Sequence, residues 1–307
     1  MKKATLQERT TIRVRAFAYL VFTGLMLGSS TILARLAFDA GIGAIPFLMW
    51  SLLTAAAGLM ILGARRGPPL RRLWGRSGYL FVAGLLTIAA PNLLVFSAAP
   101  VVGAGFVALA ITFPPLFTYV GAVLLRLEAF DARRATGVAL AMAGAVWLAL
   151  AKIGDGQASP GWVAATLMIP VFLAVGNIFR TLKWPEGARP DELAPGMLMA
   201  AAVILLGFGL STGQDISLPS ETTQITLLVV QSVVFGLQFV VFFMLQREGG
   251  PVMLSMIGAV AALVTVPLSM ILLAEQSPQG LILGGGLIAT GIFLVTWTKK
   301  DRNRTHH

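Results

Sequence analysis

Leu125-Arg-Leu-Glu-Ala-Phe-Asp-Ala-Arg-Arg-Ala-Thr-Gly-Val-Ala-Leu-Ala-Met-Ala-Gly144 closes one apolar run, turns at an acidic residue and opens the next. A related stretch runs from Leu272 to Gly291 one half-chain later. A shift of 147 positions carries Leu125 onto Leu272, Glu128 onto Glu275, Gly137 onto Gly284, Leu140 onto Leu287 and Gly144 onto Gly291. Leu, Gly and Ala are common in this chain, so the identities alone carry little. Their weight comes from falling at the same place in two runs of equal length, which is how an internal structural repeat shows itself.

The surroundings of both copies are apolar. Of the 307 residues 57% are hydrophobic and only 12% charged, and the mean hydropathy is +0.83. A soluble domain carries about 25% charged residues, so this chain cannot coat a water-facing surface of its size. The composition predicts an all-α polytopic membrane protein. There are no cysteines, which excludes a disulfide framework and a thiolate metal site. The only histidines are His306 and His307, at the end of the chain. No metal site and no cofactor is expected.

Charge-free runs of about 17–25 residues match the hydrocarbon thickness. They predict spans at 16–38, 43–63, 135–151, 160–179, 193–212, 222–245, 251–274 and 278–298. One uncharged run, Ser77 to Leu125, is too long for a single crossing, and the stretch Ser97–Gly103 around Pro100 is its natural break. That makes ten transmembrane helices. Residues 1–151 form one set of five, 152–160 a linker and 161–307 a second set. Because five is odd, the second set enters the membrane in the opposite sense, so the repeat predicts two inverted five-helix units.

With the N-terminus inside, 21 of the 23 lysines and arginines fall on inner segments, leaving only Arg35 and Lys152 outside. The positive-inside rule therefore accounts for the net charge of +10 without a nucleic acid partner. Both termini are expected in the cytoplasm, and the partner the chain requires is the lipid bilayer. Oligomeric state stays open between monomer and homodimer.

The span interiors hold no His, Cys or Asp. That argues against an intramembrane enzyme, which needs a nucleophile–base pair, paired aspartates or a histidine metal site. It also argues against ion coupling through a buried carboxylate. The polar residues at depth are amides: Asn92, Asn177, Gln231 and Gln238. Prolines Pro91, Pro114, Pro170 and Pro267 fall inside spans, and each frees a carbonyl one turn earlier. Freed backbone at membrane depth either packs or lines a cavity. Amides and carbonyls together suit a neutral, zwitterionic ligand. Trp50, Thr54, Tyr79 and Phe96 are candidate ligand contacts, with interhelical bonding and interfacial anchoring as the competing roles. Arg35 either snorkels to the interface or meets a carboxylate at the outer mouth. The glycines of the fifth and tenth spans read as packing struts.

The ordered set Gly28…Arg35, Pro114, Leu125-Arg-Leu-Glu128 and Gly137…Gly144 resembles the EamA-type drug/metabolite transporter superfamily. Its second-half counterpart is Pro267, Leu272-Leu-Ala-Glu275 and Gly284…Gly291. In length and layout the chain is most similar to bacterial exporters of aromatic amino acids within that family. The resemblance implies an inner-membrane transporter that exports amino acids and similar small metabolites. It also implies alternating access through a central cavity between the halves, lined mainly by spans other than five and ten. The residues of the spans themselves predict that this cavity is uncharged. A carrier for a different small metabolite or drug is the alternative.

Overall fold

The computed structural model describes residues 6–63, 75–154, 159–188, 190–276 and 280–296. The described residues are helices joined by turns. They form α1 (Leu6–Asp39), α2 (Ala44–Gly63), α3 (Ser77–Val102), α4 (Ala104–Leu124), α5 (Ala132–Gly154), α6 (Pro160–Leu182), α7 (Pro190–Ser211), α8 (Thr222–Ser255), α9 (Ile257–Leu272) and α10 (Leu281–Thr296). Eight of them are long and apolar enough to cross a membrane, and α9 and α10 are shorter apolar helices. At about 1.5 Å per residue, the 16 residues of α9 reach about 24 Å.

Three breaks have local chemical causes. Gly103 separates α3 from α4 at φ +91°, a conformation that favours glycine. Inside α4 the helix opens at 111–113 and restarts at Pro114, which fits a first helical turn because it has no N–H to leave unpaired. Inside α3 a π turn spans Leu85–Ala89, just ahead of Pro91, whose nitrogen cannot bond the Thr87 carbonyl. At the start of α5, Asp131 Oδ1 accepts the Arg134 backbone N–H at 2.9 Å. That bond, helped by the Arg133 amide, holds its carboxyl below the ordinary value.

The second half departs from expectation at α8. The expected spans end at residue 245 and restart at 251, but the helix continues to Ser255 and the turn falls at Met256. The Arg65, Arg66, Arg71 and Arg72 loop, both chain ends and residues 155–158 of the expected linker lie outside the described residues.

Packing runs mainly between the halves. Helix α1 packs on α8 and α9, α2 on α7 and α8, α3 on α6 and α7, and α4 on α6 and α9, while α5 pairs with α10. Exchanging every helix for the one five places along reproduces this set of pairs. Backbones approach closely where α5 crosses α10. A Cβ on Gly137 would lie 2.7 Å from the Gly291 carbonyl, and one on Gly144 would lie 2.6 Å from the Gly284 carbonyl. The offset of 147 maps Gly137 to Gly284 and Gly144 to Gly291, so it turns one of these contacts into the other. Small residues permit such backbone contact. Large apolar side chains remain on the outside, including Ile282, Leu263, Ile271 and Leu62, as a lipid-facing surface requires.

Candidate functional site

A cavity of about 120 Å³ lies where the halves meet. A cavity needs at least about 10–15 Å³ of such space to hold one water, so there is room for several waters or one small organic molecule. Its walls are Leu27 of α1, Thr87, Pro91, Asn92 and Val95 of α3, and Ile111 and Pro114 of α4. The second half adds Ile169, Leu173, Asn177 and Arg180 of α6, Gln238, Phe239 and Phe242 of α8, and Ile257 and Gly258 of α9. Neither α5 nor α10 contributes. Two helix irregularities open onto it: the π turn with Pro91, and the break before Pro114. Ile111 and Gly258, themselves 147 positions apart, meet at the cavity edge, where a Cβ on Gly258 would collide with the Ile111 carbonyl.

Arg180 overturns the expectation of an uncharged chamber. The charge pattern ends the sixth span at residue 179 and places Arg180 among the inner-loop charges. The helix runs on to Leu182, so Arg180 faces inward and is only 3% exposed. Its guanidinium carbon sits 5.0 Å from the centre of the Phe242 ring and 5.7 Å from that of Phe243. Arg180 Nη2 donates to Gln246 Oε1, and the Tyr79 hydroxyl lies beside the guanidinium. Nε has no hydrogen-bond partner. Among the described residues no carboxylate pairs with Arg180. Cation–π contacts are worth up to about 2 kcal/mol when desolvated, which offsets part of the cost of burying this charge.

The amides divide. Asn92 donates Nδ2 to the Ile88 carbonyl at 2.8 Å, which leaves its carbonyl oxygen for the cavity. Gln238 also lines the cavity, and its buried Oε1 has no partner. Asn177 lies three residues before Arg180 on the same face of α6. Gln231, by contrast, points away from the cavity and donates to Ser30 Oγ at 2.7 Å, tying α8 to α1.

The structure gives several other candidates different positions. Trp50 donates Nε1 to the Ile216 carbonyl at 3.1 Å, in the loop after α7. Thr54 is exposed, with its hydroxyl 2.6 Å from that of Ser232 on α8. Phe96 is buried in an aromatic row that stacks on Phe235 and continues through Phe239 to Phe242. It therefore supports the cavity wall from behind. Tyr79 stacks on Phe179 and reaches the site only through Arg180. Arg35 donates Nε to the carboxylate of Asp39 and Nη1 to the Pro100 carbonyl at 2.7 Å, so it pins α1 to the end of α3. Pro91 and Pro114 line the cavity; Pro170 is buried beside it, and Pro267 faces outward.

The two copies of the repeated loop are engaged differently. Glu275 accepts the backbone N–H groups of Ala104 at 2.8 Å and Gly105 at 3.1 Å, closing the α3–α4 break. Its counterpart Glu128 instead pairs with Arg134 at 2.5 Å.

Among solved structures, 14 chains match this one. One of them, titled "Crystal structure of protein", superposes with a TM-score of 0.63 at 18% identity, covering 90% of this chain and 95% of its own. That agreement shows a shared fold. No curated protein matches the chain. The model of the EamA-like transporter family matches residues 14–150, from the first third of α1 almost to the end of α5. Over that first half, the chain is similar to the EamA-like transporter family.

Proposed function

We propose that this protein is an EamA-like transporter of the drug/metabolite transporter superfamily that exports amino acids, aromatic and other neutral ones, and similar small metabolites across the bacterial inner membrane. In this reading it works by alternating access, as two five-helix units inserted in opposite senses, with both termini in the cytoplasm. The observation that carries the reading is the cavity walled by both halves. It is apolar on most sides and presents the Asn92 amide and the free acceptor of Gln238 beside a buried cation. A neutral zwitterion with an apolar side chain complements such a lining.

Alternation is supported by the two acidic loops. Glu275 clasps the α3–α4 break, whereas Glu128 is held by Arg134 within its own half. A rocking exchange between the units would swap these roles. The cavity lining includes no acidic side chain, and the proposed export needs no obligatory proton or sodium partner.

Counterflow in liposomes tests the proposal. Vesicles preloaded with unlabelled Phe should accumulate labelled Phe, with competition by Trp and Thr and no response to an imposed pH gradient. Absence of exchange for every amino acid in a broad panel would contradict it.

A further inference from the structure

The geometry points to Arg180 as the residue that recognises the carboxylate of the transported molecule, which makes an anionic group a requirement for entry. This deepens the proposed export function and rests on it. A buried structural arginine normally has its donors used. Here one donor reaches Gln246, the Tyr79 hydroxyl lies beside the group, and Nε is buried without a partner. The rings of Phe242 and Phe243 hold the guanidinium plane without using its in-plane donors. Those donors have the fork geometry that fits a carboxylate.

A second orphan lies one helical turn away. Gln238 and Phe242 are four residues apart on α8, about 5–6 Å between side-chain origins, and Arg180 sits over Phe242. The unpartnered Oε1 of Gln238 can then accept from an ammonium while the guanidinium donates to the carboxylate of the same α-amino acid. Asn92 adds a further acceptor on the α3 side. The apolar remainder of the cavity is left for the side chain.

Three related probes separate the two charges: phenylalanine, 3-phenylpropionate without the ammonium, and 2-phenylethylamine without the carboxylate. In wild-type vesicles, labelled Phe exchange should be competed by 3-phenylpropionate and not by 2-phenylethylamine. R180Q should raise the KM for Phe at least about tenfold, in line with the loss of a charge-assisted hydrogen bond, and erase the preference between the two analogues. R180K should recover part of both. Equal competition by the analogues in wild type, or an R180Q variant with unchanged KM and unchanged preference, would overturn the assignment.

Two arms keep the inference separate from the export proposal. If R180Q does not yield monodisperse protein, stabilisation of detergent-solubilised wild type against heat decides. 3-Phenylpropionate should raise the unfolding midpoint and 2-phenylethylamine should not, and equal or no shifts refute the inference. The same measurement applies if no amino acid is exchanged at all, which would remove the export reading while leaving anion recognition by Arg180 to stand or fall alone.

Discussion

Arg126 and Ala274 both adopt positive φ, +58° and +51°, one in each copy of the repeated acidic loop. A side chain there costs about 1–2 kcal/mol relative to the right-handed region. The loops are held in that shape by their acidic residues, Glu128 on Arg134 and Glu275 on the α4 amides. Ala274→Gly should relieve the strain and, after the greater entropy of the unfolded glycine is deducted, stabilise the protein by about 0.5–1 kcal/mol. A higher unfolding midpoint in detergent with unchanged transport is the expected outcome. At this scale the sequence was partly legible. Asn92, Asn177 and Gln238 stood out because a polar side chain inside an apolar run needs a reason. Arg180 did not, because a charge at a span end looks like an interfacial one, and only the extra turn of α6 brings it inside. Trp50 and Thr54 illustrate a different point. Helical spacing gives a shared face, but not whether that face meets a cavity or, as here, the Ile216 loop and Ser232.

Among the elements, α5 and α10 show how tightly small residues can set a crossing. Gly144→Leu would drive a side chain into the Gly284 carbonyl, where even a Cβ would come within 2.6 Å. The helices must separate, and destabilisation of about 1–3 kcal/mol is expected from overpacking. Since neither helix lines the cavity, the fraction that remains folded should keep the wild-type KM. Thermal unfolding and counterflow on the same preparation check both halves of that statement. These struts were readable from their glycines, and the break at Gly103 from the length of the uncharged run and Pro100. The extension of α8 was not. A Gly-Gly-Pro sequence ordinarily ends a helix, but the first turn of α9 packs against the α4 break through Gly258 and Ile111, and the turn sits directly ahead of it at Met256.

For the whole molecule, the main helix pairs between the halves are unchanged by a shift of five places. The Ile111–Gly258 contact joins two positions that the 147-residue offset relates, and the same offset turns the Gly137–Gly291 contact into Gly144–Gly284. Both halves of the sequence carried this symmetry weakly, in a handful of Leu, Glu and Gly positions. What they could not carry was the interleaving: the cavity takes its wall from five different helices besides α1's single leucine, a partnership no single span reveals. If this shared cavity is the substrate path, a reporter on its wall must sense the substrate. The chain has no cysteine, so Leu173→Cys places the only thiol in the protein on the cavity wall. That thiol is labelled with a membrane-impermeant reagent, with and without a saturating transported amino acid. It should react in the absence of substrate and be protected in its presence; a labelling rate that no transported substrate alters would show that the substrate passes elsewhere.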